Sequence, residues 1–455
     1  AVKTRQQVAA AGGEVTVDFY LINEKNVRGN HQLKISVTDS QGKVMEVGTY
    51  ETEAAGGEVY GQLLVKDVKI PVPTAGGLCR IEAKLCKENS VVTTGYDDIL
   101  SVNLASNMLD GKGAVWEDGN ALQNFLKGKT KEAVAAYEDN LGKLDWIMVA
   151  RPPRKDQLTM VPMEALRSAD GKPGLDVVYY EDMEFQKEVY HEVAKVVNLS
   201  AIEGATPSPF VYMLDGYGIK WSGKILPSVS GEYTIIPQSN DRSMIEVFVN
   251  GKKIYEITRK KEHLGDGKVY LEGGKSADIE IRFRHPRSNA RCRLDWAVPN
   301  DKMPDAQRLM ERAVNDGTKI FIIQSADEWS EFIAANSKAV FKDKFFVGTN
   351  WLGGVMFNKP HDIFKELPVG NALNWPYQAL IHTGVERMGL VMEGEELLVG
   401  AYHTYPMAIG TAMGIVPMGK GSVLFSTLDI YGNIINDSAA GLVAKKLIFN
   451  MIDFK

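Results

Sequence analysis

Residues 173–300 read as strand after strand, while the text on either side alternates helices with single buried strands. That interruption constrains the fold more than any other feature of the chain. The block runs through "DVVYYEDMEF", "IKWSGKILP", "GEYTIIPQS", "SMIEVFVNGKKIYEI", "GKVYLEGGKSADIEIRFRH" and "RCRLDWAVP". Apolar residues alternate within these pieces, and turn-forming residues separate them, as in antiparallel strands. Pro227, Ser228, Ser230 and Gly231 mark one bend. Asn250-Gly251 in "VNGKKI" predicts a type I′ hairpin, whose two central residues need positive φ.

Upstream, "GAVWE" (113–117) and "LDWIMVA" (144–150) are buried strands, and "NALQNFLKGKTKEAVAAYEDNLG" and "QLTMVPMEALRSAD" have helical spacing. Downstream, "DAQRLMERAVNDG" predicts a helix stopped by Gly317. The strand "TKIFIIQ", the helix "ADEWSEFIAANS", the strand "GSVLFSTLD" and the amphipathic helix "SAAGLVAKKLIFNMIDF" follow. Such alternation implies a parallel sheet covered on both faces. Neither piece alone makes a good doubly wound sheet, but residues 105–172 and 301–455 together do. The block at 173–300 is then an insertion into a surface loop of one α/β domain. Such an insertion costs little, because closure entropy grows slowly with loop length.

Residues 1–104 form a third unit. "EVTVDFYLINE", "HQLKISVTDSQGKVM", "YGQLLVKDVKIPVP" and "GLCRIEAKLCKE" alternate at period two. About seven short strands in such a length suggest an immunoglobulin-like sandwich. The expected architecture is multidomain: an immunoglobulin-like β-sandwich, then an α/β domain carrying an inserted β-sandwich. A chain of 455 residues is too long for one core.

A net charge of −6 offers no basic footprint for nucleic acid. Three cysteines do not make a disulfide framework, and Cys79 and Cys86 read as a free, half-buried pair. Leu397 to Gly419 carries no Asp, Glu, Lys or Arg and is long enough to span a membrane. Its His403, Pro406, Pro417 and glycines point instead to two buried strands with a bend. No membrane partner is expected. The chain opens on Ala1-Val2-Lys3 with strand-like text soon after, and reads as a fragment or as a chain trimmed at its start.

Familiar catalytic patterns are scarce. "GIVPMGKGS" (414–422) nearly spells a P-loop: Gly414, Gly419 and Lys420 fit, but Gly421 stands where Ser or Thr should bind magnesium. It runs into a strand rather than a helix and reads as a hairpin turn. There is no G-x-S-x-G elbow, no cysteine in the α/β pieces and no zinc-type spacing among the seven histidines. Glu393, Glu395, Glu396 and His403 could build an acid/base site, or lie on a strand–turn–strand with the glutamates in solvent. Trp351 and Trp375 are a sugar platform if exposed and core if buried.

Recognition is most plausible in the insertion. "PQSNDRSMIEVFVNG" places Ser239, Asn240 and Asp241, with Arg242 beside them, at a strand end. Oxygen donors on a tight loop suit calcium, with Asn240 and Asp241 as ligands, and calcium can hold sugar hydroxyls. Trp221 or Tyr217 could stack on a sugar ring. The candidate carbohydrate-binding residues are therefore Trp221, Tyr217, Asn240, Asp241 and Arg242. The alternative is a polar loop capping a sandwich.

Residues 205–299 resemble the domain first named for the anthrax protective antigen, a β-sandwich often inserted into glycosidases and adhesins. The resemblance rests on "WSGKILPSVSGEYTIIPQSNDRSMIEVFVNGKKI", "GKVYLEGGKSADIEIRF" and "CRLDW". Sugar-binding members of that family usually carry two adjacent aspartates for calcium where this chain has Asn240-Asp241. The flanks resemble a larger group. "FYLINEKNVRGNHQLKISVTDSQGKV", "YGQLLVKDVKIP" and "GYDDILSVN" are similar to the immunoglobulin-like domain that follows the barrel in glycoside hydrolase family two. "NDGTKIFIIQSADEW", "FVGTNWLGGVMF", "GEELLVGAYHTYPMAIGT" and "GKGSVLFSTLD" resemble the α/β tail of its large members. That tail is flavodoxin-like, similar in shape to a glutamine amidotransferase without its cysteine.

Such enzymes are retaining glycosidases with two glutamates about 5 Å apart on a barrel of about 250 residues. No barrel text is present, so neither catalytic role can be assigned here. The resemblance implies the C-terminal, non-catalytic region of a β-galactosidase- or β-glucuronidase-like enzyme. It would brace the missing catalytic domains of the same polypeptide, contribute to homo-oligomer contacts and hold carbohydrate, in a secreted or periplasmic parent. The alternatives are a free-standing lectin-like protein, and an enzyme that uses the glutamates near 393–396 with His403.

Overall fold

Alternating apolar residues build eight strands at the start of the chain: β1 (Val2–Thr4), β2 (Val8–Ala10), β3 (Glu14–Ile22), β4 (Gly29–Thr38), β5 (Val44–Ala54), β6 (Gly61–Pro71), β7 (Gly77–Lys87) and β8 (Ser90–Val102). They make two sheets, β1-β3-β6 and β2-β8-β7-β4-β5. Val15, Val17, Phe19 and Leu21 of β3 share a core with Leu33, Ile35 and Val37 of β4 and Ile81 and Leu85 of β7. Cys79 and Cys86 are buried free thiols. The structure is a computed structural model. It describes every residue except 58, 89, 105–107, 155–157, 202–205, 209, 240–242, 288, 300–303, 348–353, 382–387, 405–406, 436–440 and 455.

The chain is mostly β-sheet and multidomain. Its contacts define two compact units, one of residues 1–108, 358–378 and 437–455, the other of residues 109–357 and 379–436.

The second unit opens with β9 (Gly113–Glu117), α1 (Ala121–Leu126), β10 (Ala135–Ala136) and β11 (Trp146–Ala150). The helix expected over "NALQNFLKGKTKEAVAAYEDNLG" stops at Leu126, and Gly128 turns the chain at φ 73°. "QLTMVPMEALRSAD" is not a helix either. Pro162 has no amide to donate and disfavours helical geometry in the residue before it. The chain forms β12 (Thr159–Met160), a 3₁₀ turn at Met163–Ala165 and β13 (Leu166–Arg167).

Both short strands belong to the insert, so its body begins before residue 173. The insert continues with β14 (Leu175–Tyr180), β15 (Glu188–Ala194), β16 (Asn198–Ala201), β17 (Tyr217–Ile225), β18 (Gly231–Ser239) and β19 (Met244–Val249). β20 (Lys252–Ile257), β21 (His263–Leu264), β22 (Lys268–Leu271), β23 (Ala277–His285) and β24 (Ala290–Ala297) complete it. One sheet runs β12-β24-β18-β22 with β16 also on β24; the other runs β15-β14-β17-β23-β19-β20-β21 with β13 on β17. Tyr233 and Trp296 meet at 5.2 Å within the core they share. Asn250 and Gly251 adopt φ 48° and 75°, the predicted hairpin.

The α/β part resumes as α2 (Ala306–Asp316), β25 (Lys319–Ile322), α3 (Ala326–Ala335), β26 (Val340–Phe346) and β27 (Gly354–Asn358). It ends with α4 (Gln378–Ile381), β28 (Met388–Glu393), β29 (Glu396–His403), β30 (Ala408–Met418), β31 (Gly421–Ser426) and α5 (Ile430–Ile435). Asp305 caps α2 at its start by accepting from Gln307 and Arg308, and Gly317 stops it at φ 79°. The sheet is mixed rather than all parallel. β10-β9-β11-β25-β31 run parallel, then β30, β28 and β26 follow antiparallel. Gly419 and Lys420 of the near-P-loop are the hairpin turn between β30 and β31. The uncharged stretch lies on β29 and β30, and no described helix is long and apolar enough to cross a membrane.

The last helix is α6 (Gly441–Asp453), in the stretch 301–455 that the sequence assigns, with 105–172, to a discontinuous α/β domain. The helix belongs to the first unit, as do residues 358–378. Asn450 there donates to the carbonyls of Ile363 and Lys365, both at 2.9 Å, and buried Lys446 donates to Glu366 at 2.6 Å.

Candidate functional site

β11, β25 and β31 are parallel, so all three point their C-terminal ends at one edge of the sheet. The chain leaves them through Pro152, through Ile323-Gln324-Ser325 and through Thr427-Leu428-Asp429, and each of these segments lines a cleft. This is the edge at which parallel α/β sheets bind ligands. The insert supplies the opposite wall: Gln238 and Ser239 at the end of β18, Arg291, Arg293 and Asp295 on β24, and Met160 on β12. The cleft holds about 590 Å³, within the roughly 300–1,000 Å³ common for small-molecule sites.

Its polar groups are held in place. Arg293 forks onto Asp295 with contacts of 2.7 and 2.6 Å. Burial pushes the Asp295 carboxyl above its ordinary pKa, and Arg293 opposes that shift. Ser239 donates to the Arg291 carbonyl at 2.8 Å, and the Arg291 guanidinium sits 5.7 Å from the Phe346 ring. Lys344 donates to Asp327 at 2.8 Å. Gln324 Oε1 is buried and has no hydrogen-bond partner. Ser325 precedes α3 in left-handed geometry, φ 55°, and its side chain does not cap the helix. None of the described lining residues is aromatic.

The neighbouring crevice is closed. Strand order reverses between β9 and β11, the usual ligand position in such a sheet. There Arg151 pairs with Asp118, and Thr159 of β12 donates to the same carboxylate at 2.6 Å. Beside it, both Glu117 oxygens accept backbone amides, from Leu122 and Gln123 at 3.0 Å, and Tyr431 donates at 2.8 Å. Burial pushes Glu117 above the ordinary carboxylate pKa while these three donors oppose it. Glu117 thus caps α1, which lacks a side-chain cap from Asn120. A glutamine can accept at only one of the two positions. Glu117→Gln is expected to lower stability by about 1–2 kcal/mol in urea unfolding.

The residues proposed from sequence fare differently. Trp221 and Tyr217 are corrected: they are 3% and 1% exposed and lie in the insert's core. Trp221 meets Phe283 edge-on at 6.1 Å and Tyr217 lies 5.3 Å from His285, so neither offers a face to a sugar. Asn240, Asp241 and Arg242 lie outside the described residues, as does Trp351. Ser239, just before them, lines the cleft. Trp375 is half-buried in a 3₁₀ turn. Glu396 and His403 begin and end β29, roughly 23 Å apart at 3.3 Å per residue, so these groups do not form one acid/base site. Glu393 pairs with Lys342, and Glu395 accepts from Thr411 at 2.7 Å. Gln324, Arg293 and Asp295 line the cleft without a sequence motif that marks them. The signal for Gln324 was its place between a buried strand and a helix.

The fold of the insert, two sheets around the Tyr233–Trp296 core, has a family counterpart. Residues 171–308 match the model of the PA14 domain. That match covers the stretch whose sequence resembled the protective-antigen domain. Anti-sigma-I factor RsgI3 of Acetivibrio thermocellus is 27% identical over 127 residues, 27% of this chain and 19% of the relative. The chain thus spans about a fifth of that relative's length. Among solved structures, a β-glucosidase from Kluyveromyces marxianus aligns at 11% identity over 48% of this chain and 29% of its own, with a TM-score of 0.33. An anti-sigma factor domain-containing protein from Clostridium clariflavum aligns at 10% identity over 64% and 84%, with a TM-score of 0.25. The epithelial adhesin 9 A domain of Candida glabrata, solved with Galβ1-4GlcNAc, aligns at 12% identity over 33% and 90%, with a TM-score of 0.23.

Proposed function

We propose that this chain is a non-catalytic, carbohydrate-binding region of a larger carbohydrate-active protein, and that the cleft holds its glycan. The observation that carries this reading is the composite wall. A PA14-matching insert and the ligand-binding edge of an α/β sheet line one polar cleft together. In this reading the first unit is immunoglobulin-like and the sheet is flavodoxin- or amidotransferase-like. The order of parts then suits the tail of a secreted or periplasmic family-two glycoside hydrolase whose barrel lies elsewhere. Asn240 and Asp241 would supply hard oxygen donors to calcium, which takes such ligands at about 2.3–2.6 Å. That ion would help hold sugar hydroxyls.

The test is a glycan array on the full chain, run with calcium and with a chelator, beside Asp241→Ala. Binding is expected with calcium and is expected to fall at least tenfold in the chelator and in the variant. Binding that ignores both would remove calcium from the reading. No binding to any glycan would overturn it.

A further inference from the structure

We infer that the cleft selects an uncharged, hydroxyl-rich ligand, a neutral sugar rather than a uronate, sulfated or phosphorylated one, and that Gln324 anchors it. This rests on the carbohydrate reading and narrows it to one chemical class.

Carboxylates outnumber arginines among the described residues that line the cleft. Two arginines, Arg291 and Arg293, stand among four carboxylates, those of Asp295, Asp327, Glu328 and Asp429. Arg293 gives both arms of its fork to Asp295, which is 1% exposed. An anionic ligand that drew Arg293 away would leave a buried carboxylate without its partner, a strongly disfavoured state. The start of α3 is the other feature that attracts negative charge. Its first turn already contains Asp327 and Glu328, which offset the helix dipole. An anion therefore meets a surplus of carboxylates, an Arg293 fork already given to Asp295 and a helix end already compensated.

A neutral polyol finds what it needs. Gln324 lines the cleft with its Oε1 shut away from solvent and unpartnered, so a ligand meets the outer end of the amide, and a hydroxyl group can both donate and accept. It satisfies the amide in either orientation. Met160, Leu158 and Met388 give the same cleft an apolar patch for the C–H face of a sugar ring.

Calorimetric titration of the full chain tests this, with lactose and cellobiose as neutral probes and sulfated lactose and a glucuronate-containing disaccharide as acidic ones. A neutral probe is expected to bind at least tenfold more tightly than its acidic counterpart. Gln324→Ala is expected to weaken that binding about tenfold, the loss of one well-made buried hydrogen bond. Met388→Trp fills the cleft from another wall and is expected to abolish it. Unfolding midpoints for both variants show whether each is folded. Acidic sugars binding as well as neutral ones, or neutral binding that survives in a folded Gln324→Ala or Met388→Trp protein, overturns this inference and leaves the carbohydrate reading standing. Failure of every sugar, neutral or acidic, on the array and in the titration overturns both.

Discussion

Replacing Arg151 with methionine is expected to lower the stability of the second unit by about 3–5 kcal/mol, and its unfolding midpoint by on the order of 10 °C. Arg151 is 5% exposed and pairs with Asp118, whose side chain is also largely buried. Burial lowers the guanidinium's pKa from its ordinary value, and the Asp118 charge opposes that shift only in part. Methionine keeps the apolar stem but strands the carboxylate. Thr159 alone would remain on it, donating at 2.6 Å. The backbone around the pair is also committed, since Trp329 donates its indole N–H to the Arg151 carbonyl at 2.7 Å. Removing both charges, as in Arg151→Met with Asp118→Leu, is expected to recover most of the loss, because two apolar groups need no partner. Denaturant unfolding of the two single variants and the double gives the coupling directly. A single variant as stable as the parent would show that the pair does not close the crevice. Thr159 opens β12, which pairs with β24 at Trp296, so the Asp118 carboxylate also ties the insert to the sheet beneath it.

Strands were legible in the sequence because their signal is local. β9, β11, β25 and β31 are short apolar runs between turn residues, and the text marks each of them. The two overlong helices failed for local reasons as well, since Gly128 and Pro162 stood in plain view. The error over Trp221 and Tyr217 was of the same kind. Tyr217, Ile219 and Trp221 are spaced by two on β17, so they share a face, and the isoleucine identifies it as the core face. The placement of α6 was not legible, because its apolar pattern says that it is covered but not which sheet covers it. The cleft was not legible either. Gln324 follows β25, Arg293 and Asp295 stand on β24, and Met388 opens β28. Only the folded insert brings them to one edge.

Gly113→Ala tests how tightly that sheet is packed. Gly113 and Trp146 are partners in the parallel ladder between β9 and β11, and Trp146 is 2% exposed. A Cβ built on Gly113 lands on the six-membered ring of the indole. The ring cannot yield by a few tenths of an ångström, because its ring atoms, not a flexible tip, meet the new methyl. It has to leave its place. Overpacking in a dense core costs about 1–3 kcal/mol, and displacing a buried tryptophan costs about 3–5 kcal/mol. The expected loss in urea unfolding is therefore about 3–5 kcal/mol, with quenched or red-shifted tryptophan emission as the ring meets solvent. Trp146→Leu makes room. In the Trp146→Leu background, Gly113→Ala should cost less than half as much, because the methyl then enters the space left by the indole. Equal costs in both backgrounds would mean that the clash is not with Trp146. The position would then be sensitive because of its backbone, and the small-against-large pairing of β9 with β11 would not explain why a glycine starts the strand.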